Sequence, residues 1–250
     1  MASKLQNNGR KQKFYCLAFD FEFPSGQEFA YIASSIPYQY TYLQKTIRMN
    51  QKLDSSMTTL TRSLGGLQTP LLTITNEDID ISKKRIVIIC GRIHPGETNS
   101  SWVIHGILEF LISKNASHLR DNLVFKIVPM VNPDGVVAGN YRTSFIGKDL
   151  NRLYLLGDND KEAKYSNIND ILKPEITAMQ QLIKDSKTEE SKGILAFIDV
   201  HHHSQKRGSF MFGPCYQMHN SKYLEVRVLP KLISMLLPEI FRFQACRFKN

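Results

Sequence analysis

Residues 85–111 read RIVIICGRIHPGETNSSWVIHGILEFL. Ile86 to Cys90 is a short apolar run of the kind that forms a buried strand. The run breaks at Gly91, His94-Pro95-Gly96-Glu97 follows, and Ser100 or Ser101 opens an apolar helical pattern. A histidine and a carboxylate three residues apart at the mouth of a strand–loop–helix junction are two candidate ligands for one metal ion. The pair alone is a common chance match, so the rest of the site must be sought along the chain.

Outward from this stretch the pattern alternates strand and helix. Ahead of it, Leu71 to Thr75 reads as a short strand, and a helix is expected from about Thr41, in the segment carrying Tyr42, Leu43 and Ile47. After the helix predicted over 101–114 comes a strand over Asn122 to Pro129. Asn132-Pro133-Asp134-Gly135 has the composition of a turn, and residues 136–170 are loop-rich. Pro174 to Lys187 reads as a helix with proline at its start. Gly193 to Val200, GILAFIDV, is another buried-type strand and runs straight into His201; Tyr223 to Leu237 is helical by pattern. This order predicts an α/β fold around a mixed, mostly parallel sheet flanked by helices.

The N-terminal side differs. Residues 1–13 are polar and basic and read as a disordered leader. In FYCLAFDFEF, Phe14 to Phe23, apolar residues alternate as in a strand, Pro24 to Gln27 is a turn, and Glu28 to Ser34 is the expected return strand. Such a hairpin needs a partner sheet. Residues 14–36 therefore read as a hairpin in want of a sheet.

Composition narrows the class. Forty-two per cent apolar residues in a 250-residue chain supply a sizeable core. The N-terminus has no apolar segment of a secretory signal, and the apolar runs are too short or interrupted to span a bilayer. Cys16, Cys90, Cys215 and Cys246 are scattered without a C-x-x-C pair and are expected to be reduced thiols. The net charge of +9 is spread along the chain, with no nucleic-acid motif and no basic amphipathic helix for a membrane surface. An acidic substrate or simple solubility accounts for it.

Ligands of open α/β sheets bind outside the carboxyl ends of the strands. One strand delivers His94 and Glu97 there; the other delivers Asp199 and then His201, His202 and His203. Two histidines and a glutamate form a three-ligand catalytic zinc set that leaves a position for water. Asp199 is either a strand-end cap or a partner that orients a ligand histidine. Between the two groups lie GNYR (139–142) and GKDLNR (147–152), whose arginines and asparagine can grip a carboxylate. Lys206 and Arg207 are further candidates for meeting acidic side chains.

The order HPGE, NPDG, GNYR, GKDLNR, D-x-H-x-H-S resembles the zinc metallocarboxypeptidases, and within them the cytosolic carboxypeptidase branch. The resemblance runs over roughly residues 14–250 and includes PYQYTYLQKTI before the metal region and SFMFGP after it. It implies that residues 14–36 end a β-rich domain, that a second domain of carboxypeptidase-like fold runs over 37–250, and that one Zn2+ is held by His94, Glu97 and His201. His201 and His203 match the two histidines of the family's H-x-H-S element, while His202 stands where a small residue is usual. The resemblance further implies Arg142 as the group that polarises the scissile carbonyl, and Asn151 and Arg152 as the grip on the substrate's terminal carboxylate. The implied activity is removal of C-terminal or side-chain glutamates from acidic protein tails such as those of tubulin, in the cytoplasm, at microtubules or cilia. The family's general-base glutamate lies in a strand well beyond the third zinc ligand. Glu225 and Glu239 fall too early to match it, so the catalytic domain is expected to lack its C-terminal part. The alternative is a catalytically impaired fragment that binds zinc and acidic tails.

Overall fold

The computed structural model describes residues 16–50, 55–154, 173–188 and 190–249. The expected leader over 1–13, the first two residues of the expected N-terminal strand, and the end of the loop-rich segment from 155 onward lie outside the described residues. The chain divides into two units, Met1–Pro37 and Tyr38–Asn250.

In the first unit the expected turn forms, with Gln27 N donating to Pro24 O at 3.1 Å. The strands on either side of it do not: among the described residues 16–37 none belongs to a ladder. Phe21 packs on Phe23 and Phe29 on Tyr31, neighbours two apart in the chain, and these rings stay exposed. Alternation supplies a face to bury, but a strand also needs a ladder and a covering layer.

The second unit holds α1 (Tyr40–Asn50), β1 (Ser55–Arg62), β2 (Gln68–Ile74), β3 (Arg85–Gly91), α2 (Thr98–Ile112), α3 (Ser117–Asn122), β4 (Leu123–Val128) and α4 (Pro133–Ala138). It continues with α5 (Pro174–Thr188), β5 (Ile194–Val200), the short β6 (Phe212–Gly213), α6 (Lys222–Leu236) and β7 (Arg247–Phe248). Among the described residues the main sheet has five strands in the order β1-β2-β4-β3-β5. The β1–β2 and β2–β4 pairs are antiparallel, and β4–β3 and β3–β5 are parallel. The sheet is thus mixed, with its parallel part around β3.

β3 explains the layering. Its side chains alternate between the faces. Val87 and Ile89 pack with Ile104, Leu108 and Leu111 of α2 and with Leu43 and Ile47 of α1. Ile86, Ile88 and Cys90 pack with Ile176, Met179 and Leu182 of α5. The helical contacts recur at three- and four-residue spacing, one face of each helix. Each fully buried aliphatic side chain contributes on the order of 2 kcal/mol, which is why an unbroken apolar strand sits between two helical layers.

NPDG is not a free turn. Asn132 caps α4, accepting from Gly135 N at 3.0 Å, with Pro133 at the first helical position and Gly139 in the left-handed region closing the helix. Asparagine at the cap and proline at the start are helix-opening chemistry as much as turn chemistry. Asp134 in this first turn is buried and accepts from Ser63 Oγ at 2.5 Å and Gly65 N at 2.8 Å, tying α4 to the β1–β2 connection.

Candidate metal centre

The crossovers from β3 to β4 and from β4 to β5 lie on opposite faces of the sheet. The first runs through α2 to β4, and the second returns through α5 to β5, on β3's other side. Such a reversal opens a crevice at the carboxyl ends of the strands. There Cys90 pairs with Asp199 and Gly91 with Val200, so the segments that follow, His94–Glu97 and His201, emerge side by side.

The His94–Glu97 segment is a tight turn, with Glu97 N donating to His94 O at 3.1 Å. Two glycines let other segments press against it. A Cβ on Gly96 would lie 2.5 Å from Tyr141 Cδ2, and one on Gly135 would lie 2.3 Å from Pro95 Cγ. Gly96 N also donates to Tyr141 O at 2.7 Å. HPGE, NPDG and GNYR, far apart in sequence, are therefore one packed unit.

Ligand atoms of His94, Glu97 and His201 all lie within 4.8 Å of one another. Nδ1 of His94 is 2.8 Å from Glu97 Oε1, and Nδ1 of His201 is 3.0 Å from Glu97 Oε2. Each histidine turns its other nitrogen to a second carboxylate: His94 Nε2 lies 3.0 Å from Asp149 Oδ1, and His201 Nε2 lies 2.6 Å from Asp199 Oδ2. A carboxylate behind each ring fixes the tautomer and aims Nδ1 at the shared space. This donor set fits zinc: two imidazole nitrogens and one carboxylate, each ring backed.

The electrostatics agree. Burial would raise the Glu97 carboxyl, but the hydrogen bonds from His201, His94 and the His202 backbone N–H outweigh it and hold Glu97 well below the usual carboxylate range. Burial would likewise lower His201, but Asp199 and Glu97 outweigh it and push the ring up to about 9. The ionised Glu97 carboxylate thus faces a His201 ring that holds a proton, the position a metal ion would take. Cys90 Sγ lies 3.6 Å from Asp199 Oδ1. Burial first, then Asp199, keep that thiol well above its ordinary range, so it remains a protonated core side chain.

Asp149, inside GKDLNR, joins this group although no local sequence pattern marks it as a partner of His94. Besides His94 it accepts from Arg142 Nε at 2.9 Å and Nη2 at 2.8 Å, and from Asn151 N at 3.0 Å. It thereby joins the His94, Glu97 and His201 group to Arg142 and caps the 3-10 turn Leu150–Arg152. Burial would raise its carboxyl, and His94 and the other donors hold it low. The expected Asn151 stands beside the centre, Nδ2 3.3 Å from His201 Nε2, and Arg152 is exposed on the same turn.

Among the three consecutive histidines the structure brings His201 to the group. His203 Nδ1 instead accepts from the backbone N–H of Gln205 and Lys206 at 3.1 and 3.2 Å, and His202 Nδ1 lies 3.0 Å from Asn99 Nδ2. Lys206 is already engaged: its ammonium donates to Ala245 O at 2.9 Å and lies 4.6 and 5.0 Å from the ring centres of Phe210 and Phe212. Arg207 is exposed.

Comparison with known proteins agrees with this geometry. The family model for zinc carboxypeptidase matches residues 39–222. Cytosolic carboxypeptidase 2 of Macaca fascicularis is 38% identical over 96% of this chain and 28% of its own length. Cytosolic carboxypeptidase 3 of Mus musculus is 36% identical over 98% of this chain and 24% of its own. The chain thus spans about a quarter of the length of these relatives. The metallo-carboxypeptidase of Burkholderia cenocepacia shares the fold with a TM-score of 0.67 at 24% identity, over 86% of this chain and 54% of that one. Carboxypeptidase A of Helicoverpa armigera does so at 0.59 and 20% identity, over 79% of this chain and 53% of that one. On the match over residues 39–222 and the identity to these relatives, the chain belongs to the zinc carboxypeptidase family.

Proposed function

We propose that this chain carries the metal-binding and substrate-gripping part of a zinc-dependent carboxypeptidase that removes C-terminal or side-chain glutamates from acidic protein tails. The observation that carries the reading is the convergence of His94 Nδ1, His201 Nδ1 and the Glu97 carboxylate, each ring backed by its own aspartate. A zinc ion bound there supplies a Lewis acid for the peptide carbonyl and lowers the pKa of a coordinated water.

The chain's own residues do the rest. Arg142, held by Asp149 beside the ligand set, is assigned to stabilise the charge that develops on the carbonyl oxygen. Asn151 and Arg152, on the turn capped by the same aspartate, are assigned to the terminal carboxylate of the substrate; an arginine fork suits that planar anion. The net charge of +9 favours acidic tails. Polyglutamylated tubulin in the cytoplasm, at microtubules or cilia, is the proposed target class. The division in which 14–36 ends a β-rich domain and 37–250 forms the catalytic domain belongs to the same proposal.

A second reading, binding of zinc and acidic tails without turnover, is favoured by one observation. Among the described residues, the carboxylates touching the ligand histidines are Glu97, Asp149 and Asp199, and each is committed to a ring. Incubating the chain with a polyglutamylated tail peptide, with and without chelator, separates the two. Metal-dependent glutamate release supports the first reading; zinc and peptide binding without release supports the second. Arg152→Ala is expected to weaken free-carboxylate peptides far more than amidated ones, and equal loss for both removes the clamp assignment.

A further inference from the structure

Among the described residues, Arg92 is the non-glycine residue with a positive φ, at 54°. A glycine would take that backbone at less steric cost, so a turn alone does not account for an arginine. The side chain is nevertheless buried, 4% exposed, and it bridges three segments. Nε donates to Pro95 O at 2.7 Å, and Nη1 donates to Tyr38 O at 3.0 Å and Ser101 Oγ at 2.9 Å. The backbone is pinned as well: Arg92 N donates to Ser100 Oγ at 3.0 Å, and Arg92 O accepts from Asn132 N at 3.3 Å.

We propose that Arg92 is a positioning residue of the metal centre, acting through the Pro95 carbonyl to hold the His94–Glu97 turn at the spacing one ion requires. The proposal rests on the reading of His94, Glu97 and His201 as ligands. Pro95 lies between the first two of these and is buried, where a carbonyl must find a donor inside the protein. Arg92 Nε is that donor. The left-handed turn at Arg92 sends Ile93 into the core, fully buried, and swings His94 toward Glu97. The fork then ties the turn to the first helical turn of α2 through Ser101 and to the carbonyl of Tyr38. Burial lowers the guanidinium's pKa to about 10, with Tyr38 and Glu97 opposing the shift, so it remains a cation at neutral pH.

Backbone and side-chain roles are separable because glycine satisfies the first and not the second. The test is zinc affinity of the full chain, by chelator competition, together with the visible spectrum of the cobalt(II)-loaded protein, for wild type, Arg92→Gly, Arg92→Lys and Ser101→Ala. Arg92→Gly is expected to bind zinc about 10- to 100-fold more weakly and to shift the cobalt bands. Arg92→Lys keeps the charge but lacks the planar fork, so it should recover only part of the affinity. Ser101→Ala removes one of the fork's acceptors and should show a smaller loss in the same direction. If Arg92→Gly does not fold, the other two variants decide. Wild-type affinity and a wild-type cobalt spectrum in folded variants overturn the role of Arg92 while leaving the ligand set intact. A wild-type chain that binds no zinc overturns both.

Discussion

Replacing Asp149 by asparagine keeps the shape of the side chain and removes its charge. Asp149 lies behind His94 at 3.0 Å, with its side chain 18% exposed and that of His94 5% exposed. A carboxylate in this position typically contributes about 10- to 100-fold to metal affinity, or about 1.4–2.7 kcal/mol. The ion pair to Arg142 contributes less, because the arginine side chain is 45% exposed; solvent screening leaves at most about 1 kcal/mol. The cap on Asn151 N survives, since asparagine also accepts there. The metal term therefore dominates. Chelator competition should show Asp149→Asn binding zinc about 10- to 100-fold more weakly, while the metal-free protein's unfolding midpoint moves little. Zinc affinity within twofold of wild type would refute the claim that Asp149 aims the His94 ring; a large drop in metal-free stability would relocate its role to the fold.

Further outcomes follow from the packing and the buried charges. Gly96→Ala places a Cβ 2.5 Å from Tyr141 Cδ2 and 2.7 Å from the Tyr141 carbonyl. It should cost about 1–3 kcal/mol in overpacking and about 1 kcal/mol for the strained hydrogen bond. Gly106→Ala, in α2 with nothing within 4 Å of the added Cβ, should instead stabilise by roughly 0.5–1 kcal/mol; thermal melts of the two variants moving the same way would contradict this. Glu175, 3% exposed, is raised by burial from its ordinary 4.5 to about 7, with its own backbone N–H opposing the shift and Asp134 adding to it. Its favourable contribution is fully present below pH 4.5 and is lost as pH rises through 7, a swing of about 3 kcal/mol. Denaturant melts across that range should show the swing in wild type and not in Glu175→Gln; parallel curves would remove the burial argument.

RIVIIC was legible because β3 is buried on both faces. ILAFIDV carries a similar apolar run, Ile194 to Ile198, although β5 is the outer strand of the described sheet and leaves Leu195 and Phe197 exposed rather than buried. His94, Glu97 and His201 follow the ends of these two strands. β1 was not legible: Ser55–Arg62 reads SSMTTLTR, an edge strand defined by its backbone ladder to β2 rather than by an apolar face. FYCLAFDFEF misled for the converse reason, since an alternating face without a described ladder does not make a strand. NPDG has the composition of both a turn and a helix start, and only the bond from Gly135 N to the Asn132 side chain distinguishes them. Asp149 stood inside a quoted motif, but its partner His94 is 55 residues away, beyond any local pattern. The choice among His201, His202 and His203 likewise depends on where a loop turns each ring.

Zinc stoichiometry and affinity of the full chain, measured by titration for wild type, His94→Ala, His201→Ala and His203→Ala, test the central claim most directly. One zinc per wild-type chain, lost in the first two variants and kept in His203→Ala, is the predicted result. Retention in His201→Ala with loss in His203→Ala, or no stoichiometric zinc in the folded wild type, would contradict it.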